Sequence, residues 1–346
     1  MEQKLLFTDD VNGALRRIVS KSRPTAVFVL VDENTAQFVL PRLDLEATPI
    51  TIPAGDEHKT LDTFAAVWDA LQRGGATRHA LLINLGGGMV TDLGGMAAAT
   101  FKRGMPFVNV PTTLLGAVDA AVGGKTGINY GGLKNEVGVF ALAADVIVST
   151  VFFNTLPTRE LWAGYAEMLK HAMLTSDDRL NELLAFEPTG DRQRLLTLLK
   201  ESVEVKRRIV ESDPCECGPR KALNLGHTVG HAFESLALQR ACPVPHGYAV
   251  AWGLVVEGVL SHTRLGFPSL LLHRLADYVL EHYGTFHITC DDYDALLAAM
   301  RHDKKSRHGE INCTLLAACG DVRLDQAVDD DEMKTALDLY RDLFHI

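Results

Sequence analysis

Two histidines four residues apart, His227 and His231 in NLGHTVGH (224–231), share one face if the segment is helical. Asn224 stands three residues before His227, and Arg220 four before Asn224, so a helix running back that far carries one polar stripe. The flanking Leu223, Leu225, Val229 and Phe233 supply apolar faces, which embeds the segment rather than exposing it. Imidazole nitrogen and carboxylate oxygen suit zinc, and a catalytic zinc keeps three protein ligands and an open position. Two further ligand types stand in apolar helical surroundings: Glu167 in GYAEMLKH and His246 in PVPHGYAVAWG. A carboxylate among Ala, Met and Leu is costly to bury without a partner. Lys170, one turn on, offers one, so spacing alone leaves both a metal site and a structural Glu–Lys pair open.

A second group lies earlier. In HALLINLGGGMVTDLGG, Gly86, Gly87 and Gly88 fall where an apolar strand gives way to a helix. Glycines there admit a pyrophosphate close to the backbone, and the helix N-terminus supplies N–H donors. The spacing is not G-x-G-x-x-G, so a plain strand–helix turn competes. Asp32, closing VFVLVD, suits a ribose hydroxyl or simply starts a turn. The GGKT at 123–126 imitates a Walker loop but fails it, because Asp119 stands where the first glycine is required. What remains is Lys125, then Lys134 and Asn135, in Gly-rich loops suited to a small anion or to a solvated surface.

Elements must position these groups. TAVFVLVD, TPITIP, HALLINLGG, FVNVP and DVIVS read as buried strands, with helical stretches between them. That rhythm predicts a Rossmann-like α/β domain with a parallel sheet over residues 1–154. Beyond residue 155 helical periodicity dominates, predicting an all-α domain over 155–346, with short strands possible near ITC and INCTLL. Asp329 to Asp331 read as a solvated helix start.

The 346 residues exceed one ordinary core, and 47% are hydrophobic, so two folded domains are expected. A net charge of −10 argues against nucleic acid, while a locally basic cleft for an anion stays open. The N-terminus lacks a signal-peptide core, and YAVAWGLVVEGVL is too short for a bilayer and contains Glu257, so a cytoplasmic protein without a membrane partner is expected. The six cysteines read as reduced thiols, since only Cys215 and Cys217 are close and no second pair completes a zinc site.

The ordered motifs GGGMVTDL, VPTTLLGAVDAAVGGKTGIN, KNEVGVF, LPTREL-x-x-GYAEMLKH, LNLGHTVGHAFE, HGYAVA and DKK make the chain resemble the 3-dehydroquinate synthases of the shikimate pathway from about residue 50 to 310. The resemblance implies an NAD-binding α/β domain, a helical domain, zinc or cobalt, and a homodimer. Matched motif by motif, it implies Glu167, His227 and His246 as metal ligands, with His231 turned to catalysis or substrate instead. It implies NAD contacts at Asp32, Asn34, Asp56, Lys59, Gly87 and Gly88. Further NAD contacts follow at Asp92, Thr112, Thr113, Leu115, Thr155 and Leu156. For the substrate it implies Arg103, Asp119, Lys125, Lys134, Asn135 and Lys170. Lys206, Arg220, Asn224 and the pair Lys304 and Lys305 complete that set. Two positions depart from the family pattern, Tyr248 and Asp56, both usually Glu.

The implied substrate is 3-deoxy-D-arabino-heptulosonate 7-phosphate, an anion that would explain cationic motif residues in an acidic protein. The implied reaction oxidises C5 with NAD, eliminates phosphate, reduces C5 again and closes the ring, regenerating NAD. Rival readings are another sugar phosphate cyclase, of inosose or valiolone type, and a metal-dependent polyol dehydrogenase. A degenerate binding protein would not be expected to keep the three metal positions and the lysines.

Overall fold

The computed structural model describes residues 3–131, 133–302 and 310–346, and the chain divides into two compact units. One comprises Met1–Leu161 with Arg192–Val203, the other Trp162–Asp191 with Glu204–Ile346.

The expected apolar runs form strands because both faces of the sheet are covered. They are β2 (Val27–Asp32), β3 (Thr48–Ile52), β4 (Leu81–Gly86), β5 (Phe107–Pro111) and β8 (Asp145–Val148), joined by β1 (Lys4–Phe7). All pairings are parallel, in the order β1-β8-β5-β4-β2-β3. Every residue of β4 is buried, whereas β3, at the sheet edge, alternates and tolerates Pro49. The opposite edge strand β1 escapes a sequence reading because its four residues are only half covered.

From β2 the chain steps outward to β3 and returns to lay β4 on the other side of β2. The strand order therefore reverses between β2 and β4, and ligands bind outside the carboxyl ends of strands at such a reversal. Asp32 ends β2 and the glycine turn follows β4.

The Gly-rich segments around Lys125 and Lys134 are not loops. They form an antiparallel hairpin of β6 (Lys125–Tyr130) and β7 (Leu133–Phe140). Glycine usually weakens a strand, but here Gly127 and Gly138 face each other, and a Cβ on Gly138 would lie 2.2 Å from the Thr126 carbonyl oxygen.

The second unit is helical with one correction to the all-α expectation. Residues Ile311–Ala318 (β9) and Asp321–Val328 (β10) pair as an antiparallel hairpin. INCTLL opens β9, while ITC forms no strand and runs into a short 3-10 stretch at Cys290–Asp292. β9 is buried, and its Leu316 amide donates to Ser261 Oγ on the His246–Leu265 helix at 3.0 Å. That helix is buried almost throughout, which accounts for the apolar run YAVAWGLVVEGVL. No helix among the described residues is long and apolar enough to cross a membrane. Asp329 caps the Asp330–Phe344 helix in a capping box with Glu332, so the acidic run is a helix start.

Candidate functional site

The continuous polar stripe expected from Arg220 to His231 does not form. Pro219–Asn224 is a 3-10 stretch, Gly226 turns left-handed at φ +77°, and the helix begins at His227. Any side chain at Gly226 would be strained by that φ and would press a Cβ 2.8 Å from Leu254 Cγ. His227 thus sits in the first turn, its Nδ1 3.1 Å from the Leu225 carbonyl oxygen. A carbonyl only accepts, so Nδ1 carries the proton and Nε2 presents a lone pair.

His246 also opens its helix, His246–Leu265, and its Nδ1 lies 3.1 Å from Glu234 Oε2. The neighbouring Gly247 lets this end come against the Thr158–Met173 helix, since a Cβ there would fall 1.8 Å from the Ala163 carbonyl oxygen. Ala163 is one turn before Glu167, so the same close approach sets His246 beside the buried carboxylate.

The ligand-type atoms converge. Glu167 Oε1 lies 3.3 Å from His227 Nε2 and 3.5 Å from His246 Nε2. One ligand atom from each residue falls within 4.8 Å of the others. Metal–ligand bonds of about 2.0–2.1 Å at tetrahedral angles hold donors about 3.3 Å apart. The two carboxylate–imidazole distances match that spacing. Oε1 makes no directed hydrogen bond despite being buried, as expected of an atom shaped for a cation. Lys170 Nζ approaches the other oxygen, Oε2, so the Glu–Lys pair and the metal-type cluster coexist on one carboxylate.

Burial and neighbouring charges shift all three groups. Burial alone would push Glu167 up, but Lys170 and the imidazoles hold it well below the usual carboxylate range. Burial, with the Lys170 ammonium, depresses His227 to about 4. Burial opposes the charge on His246 too, but Glu234 and Glu167 outweigh it and raise it to about 10.

His231 lies beside both, its ring centroid 5.4 Å from that of His227 and 5.9 Å from that of His246. It groups with Glu234 and His246. Arg220 is buried and donates to the Pro214 carbonyl oxygen at 2.7 Å. The loop before it is gathered by Asp213, which accepts from the amides of Cys217, Gly218 and Arg220. Asn224 Nδ2 donates to Glu216 Oε1 at 3.3 Å, and Lys206 is buried on the Arg192–Ser212 helix. Lys304 and Lys305 lie outside the described residues.

In the first unit, Lys59 gathers several of the proposed cofactor and substrate residues. Its buried ammonium donates to Asp92 Oδ2 and Asn135 Oδ1, both at 2.5 Å. Asn135 is left-handed at φ +52°, and its amide donates to Asn129 Oδ1 at 2.9 Å. Lys134 Nζ is 3.5 Å from Asp56 Oδ2. Gly87 precedes the Gly88–Thr100 helix, and a Cβ on it would meet Thr113 Cγ2 at 3.1 Å. Thr112 donates its amide to the Gly86 carbonyl oxygen, and Thr113 Oγ1 accepts the Gly116 amide. Leu115 leads into the short π-helical turn that carries Asp119. Asp32 Oδ1 accepts the Thr35 amide at 2.7 Å, a capping box that performs the turn-starting role, and Asn34 is exposed on the helix it starts. Lys125 opens β6, Arg103 is exposed and left-handed at φ +65°, and Thr155 and Leu156 close the 3-10 stretch after β8.

The sequence reading gave Glu234 and Glu257 no place beside the candidate site. Both are buried, and Glu257 accepts the Gly226 amide at 2.7 Å. A lone acid within an apolar run was the available signal, since its burial demands a partner.

Comparison with known proteins covers both halves of the chain. The family model described as 3-dehydroquinate synthase N-terminal matches residues 49–163, and the C-terminal model matches 164–306. A 3-dehydroquinate synthase from Parabacteroides distasonis is 45% identical, across 100% of this chain and 99% of the relative. Among solved structures, 2-epi-5-epi-valiolone synthase from Streptomyces hygroscopicus subsp. jinggangensis, with NAD+ and Zn2+ bound, superimposes with a TM-score of 0.83 at 25% identity, covering 99% of this chain and 97% of that one. A 2-deoxy-scyllo-inosose synthase complexed with carbaglucose-6-phosphate, NAD+ and Co2+ gives 0.81 at 21% identity, covering 96% and 95%.

Proposed function

The chain belongs to the 3-dehydroquinate synthase family, and on that premise we propose that Glu167, His227 and His246 hold the divalent metal, Zn2+ or Co2+, with which it converts 3-deoxy-D-arabino-heptulosonate 7-phosphate to 3-dehydroquinate and phosphate. The observation that carries the ligand set is the convergence of Glu167 Oε1 with the two Nε2 atoms at 3.3 and 3.5 Å. When bound, the metal would supply Lewis acidity at a substrate hydroxyl and NAD a reversible hydride acceptor, so that no second redox substrate would be needed.

The protein's own groups bind and orient. Lys125, Lys134, Asn135, Arg103, Lys206, Arg220 and Asn224 serve the carboxylate and phosphate of the substrate through charge-assisted bonds. His231 relays protons as an imidazole, Asp119 and Lys170 contact the substrate, and one of the pair Lys304 and Lys305 contacts the phosphate. The Gly87–Gly88 turn receives the pyrophosphate of NAD at a helix N-terminus, and Asp32 and Asn34 serve a ribose. Asp56, Lys59, Asp92, Thr112, Thr113, Leu115, Thr155 and Leu156 complete the cofactor site. The enzyme acts as a lyase in the cytoplasm, as a homodimer, without nucleic-acid or membrane partners.

The test is phosphate release from the heptulosonate phosphate with catalytic NAD, before and after chelation. Expected is stoichiometric phosphate and dehydroquinate, lost on metal removal and restored by Zn2+ or Co2+. No phosphate, or full activity after complete metal removal, overturns the reading. Bulk NADH accumulation would instead indicate a polyol dehydrogenase, and turnover of glucose 6-phosphate or sedoheptulose 7-phosphate a sibling cyclase.

A further inference from the structure

The two histidines of the proposed metal site open two helices that pack backbone against backbone. A Cβ on Gly253 of the His246–Leu265 helix would lie 2.0 Å from the Gly226 carbonyl oxygen and 2.8 Å from the Gly230 nitrogen. A Cβ on Gly230 of the His227–Gln239 helix would lie 3.0 Å from the Ala249 carbonyl oxygen. Each helix also carries one buried glutamate outside the proposed ligand set, Glu234 on the first and Glu257 on the second.

The two glutamates reach in opposite directions. Glu234 Oε2 lies 3.1 Å from Nδ1 of His246, the residue that opens the other helix. Glu257 Oε2 accepts the Gly226 amide at 2.7 Å, and its Oε1 the Val229 amide at 3.3 Å, so the carboxylate brackets the turn that bears His227. We infer that Glu234 and Glu257 are positioning residues for the metal, each crossing from its own helix to hold the histidine ligand of the other.

The two act by different chemistry. A carboxylate accepting Nδ1–H fixes the imidazole tautomer, turns the Nε2 lone pair toward the metal position, and strengthens it as a donor. Glu234 does this to His246 directly. Glu257 works through the backbone: its charge satisfies amides at a helix N-terminus, where a carboxylate is favoured, and so fixes the Gly226 turn. His227 then takes its ring orientation from the Leu225 carbonyl oxygen on the other side of that turn. Two histidines distant in sequence are thereby locked to one another before any metal enters, which lowers the ordering cost of binding it.

The inference rests on the proposed ligand set, and the test separates the two. Metal-free protein is titrated with Co2+ against a competing chelator, and the visible absorption of the Co2+ form is recorded. Glu234→Gln keeps an acceptor for Nδ1–H but loses the charge. It is expected to bind Co2+ about 10- to 100-fold more weakly and to shift the visible band, a spectral change that a loss of stability alone would not produce. Glu257→Gln is expected to weaken Co2+ binding in the same range, with Glu257→Asp as the stand-in if Glu257→Gln does not fold. Wild-type affinity and spectrum in these variants, with binding lost in His227→Ala, overturn the inference and leave the ligand set standing. Two ions per wild-type chain also overturn it, because Glu234, grouped with His231 and His246, would then itself be a ligand. Wild-type Co2+ affinity in His227→Ala overturns the ligand set, and the inference with it.

Discussion

Replacing Gly253 by alanine places a methyl group where two helix backbones already touch. The added carbon would lie 2.0 Å from the Gly226 carbonyl oxygen, and ordinary contact begins near 3.4 Å. The backbones must therefore part by about 1.4 Å, and no flexible side chain can absorb the strain. Gly226 immediately precedes His227, while Gly253 shares a helix with His246, so the displacement falls on the separation of the two imidazoles. Metal–ligand distances tolerate about 0.2 Å, several times less than this shift. Gly253→Ala should thus weaken Zn2+ binding by on the order of 100-fold, at or beyond the loss that follows when only an outer partner of a ligand is removed. Overpacking should also cost about 1–3 kcal/mol of stability and lower the melting midpoint by several degrees. Competitive chelator titration reads the first effect and thermal melting of the metal-free protein the second. A variant that binds Zn2+ and melts as wild type would refute the claim that this contact sets the ligand geometry.

Two other perturbations follow from buried charges. Lys170→Met leaves the Glu167 carboxylate buried without its ammonium, so the metal-free protein should lose about 3–5 kcal/mol, most of it recovered in Glu167→Gln/Lys170→Met. Equal melting of wild type and both variants without metal would show that the pair contributes nothing. In the first unit, Lys59→Met removes the cation that joins Asp92 to Asn135, so NAD affinity measured by calorimetry should fall at least tenfold, the equivalent of about 1.4 kcal/mol. Unchanged affinity would mean that this network does not shape the cofactor site.

Much of the fold was legible because burial on both faces leaves an unmistakable mark: β2, β4, β5 and β8 are runs of Val, Ile and Leu. The missed elements lacked that mark. β1 is a half-exposed edge, and the β6–β7 hairpin is rich in glycines that serve close cross-strand approach. In the second unit, β9 and β10 extend well beyond the short INCTLL signal, because β9 finds its cover on the His246–Leu265 helix, far away in sequence.

The site divides in the same way. The chemical inventory is set by sequence: imidazoles at His227, His231 and His246, a lone acid at Glu167 with Lys170 one turn on, and glycines 86–88 after an apolar strand. Local spacing nevertheless favoured a stripe from Arg220 to His231, since periodicity assumes an unbroken helix. The left-handed turn at Gly226 ends that stripe and leaves His227 at a helix start, where its ring can be fixed by Leu225. Only the packed structure then decides which donors meet. Glu167, His227 and His246 come from three helices, and the close approaches that align them, at Gly247 and Gly253, are made by backbone atoms distant along the chain. A sequence records which residue types are available; the distances among their donor atoms arise from long-range packing, which no local periodicity encodes.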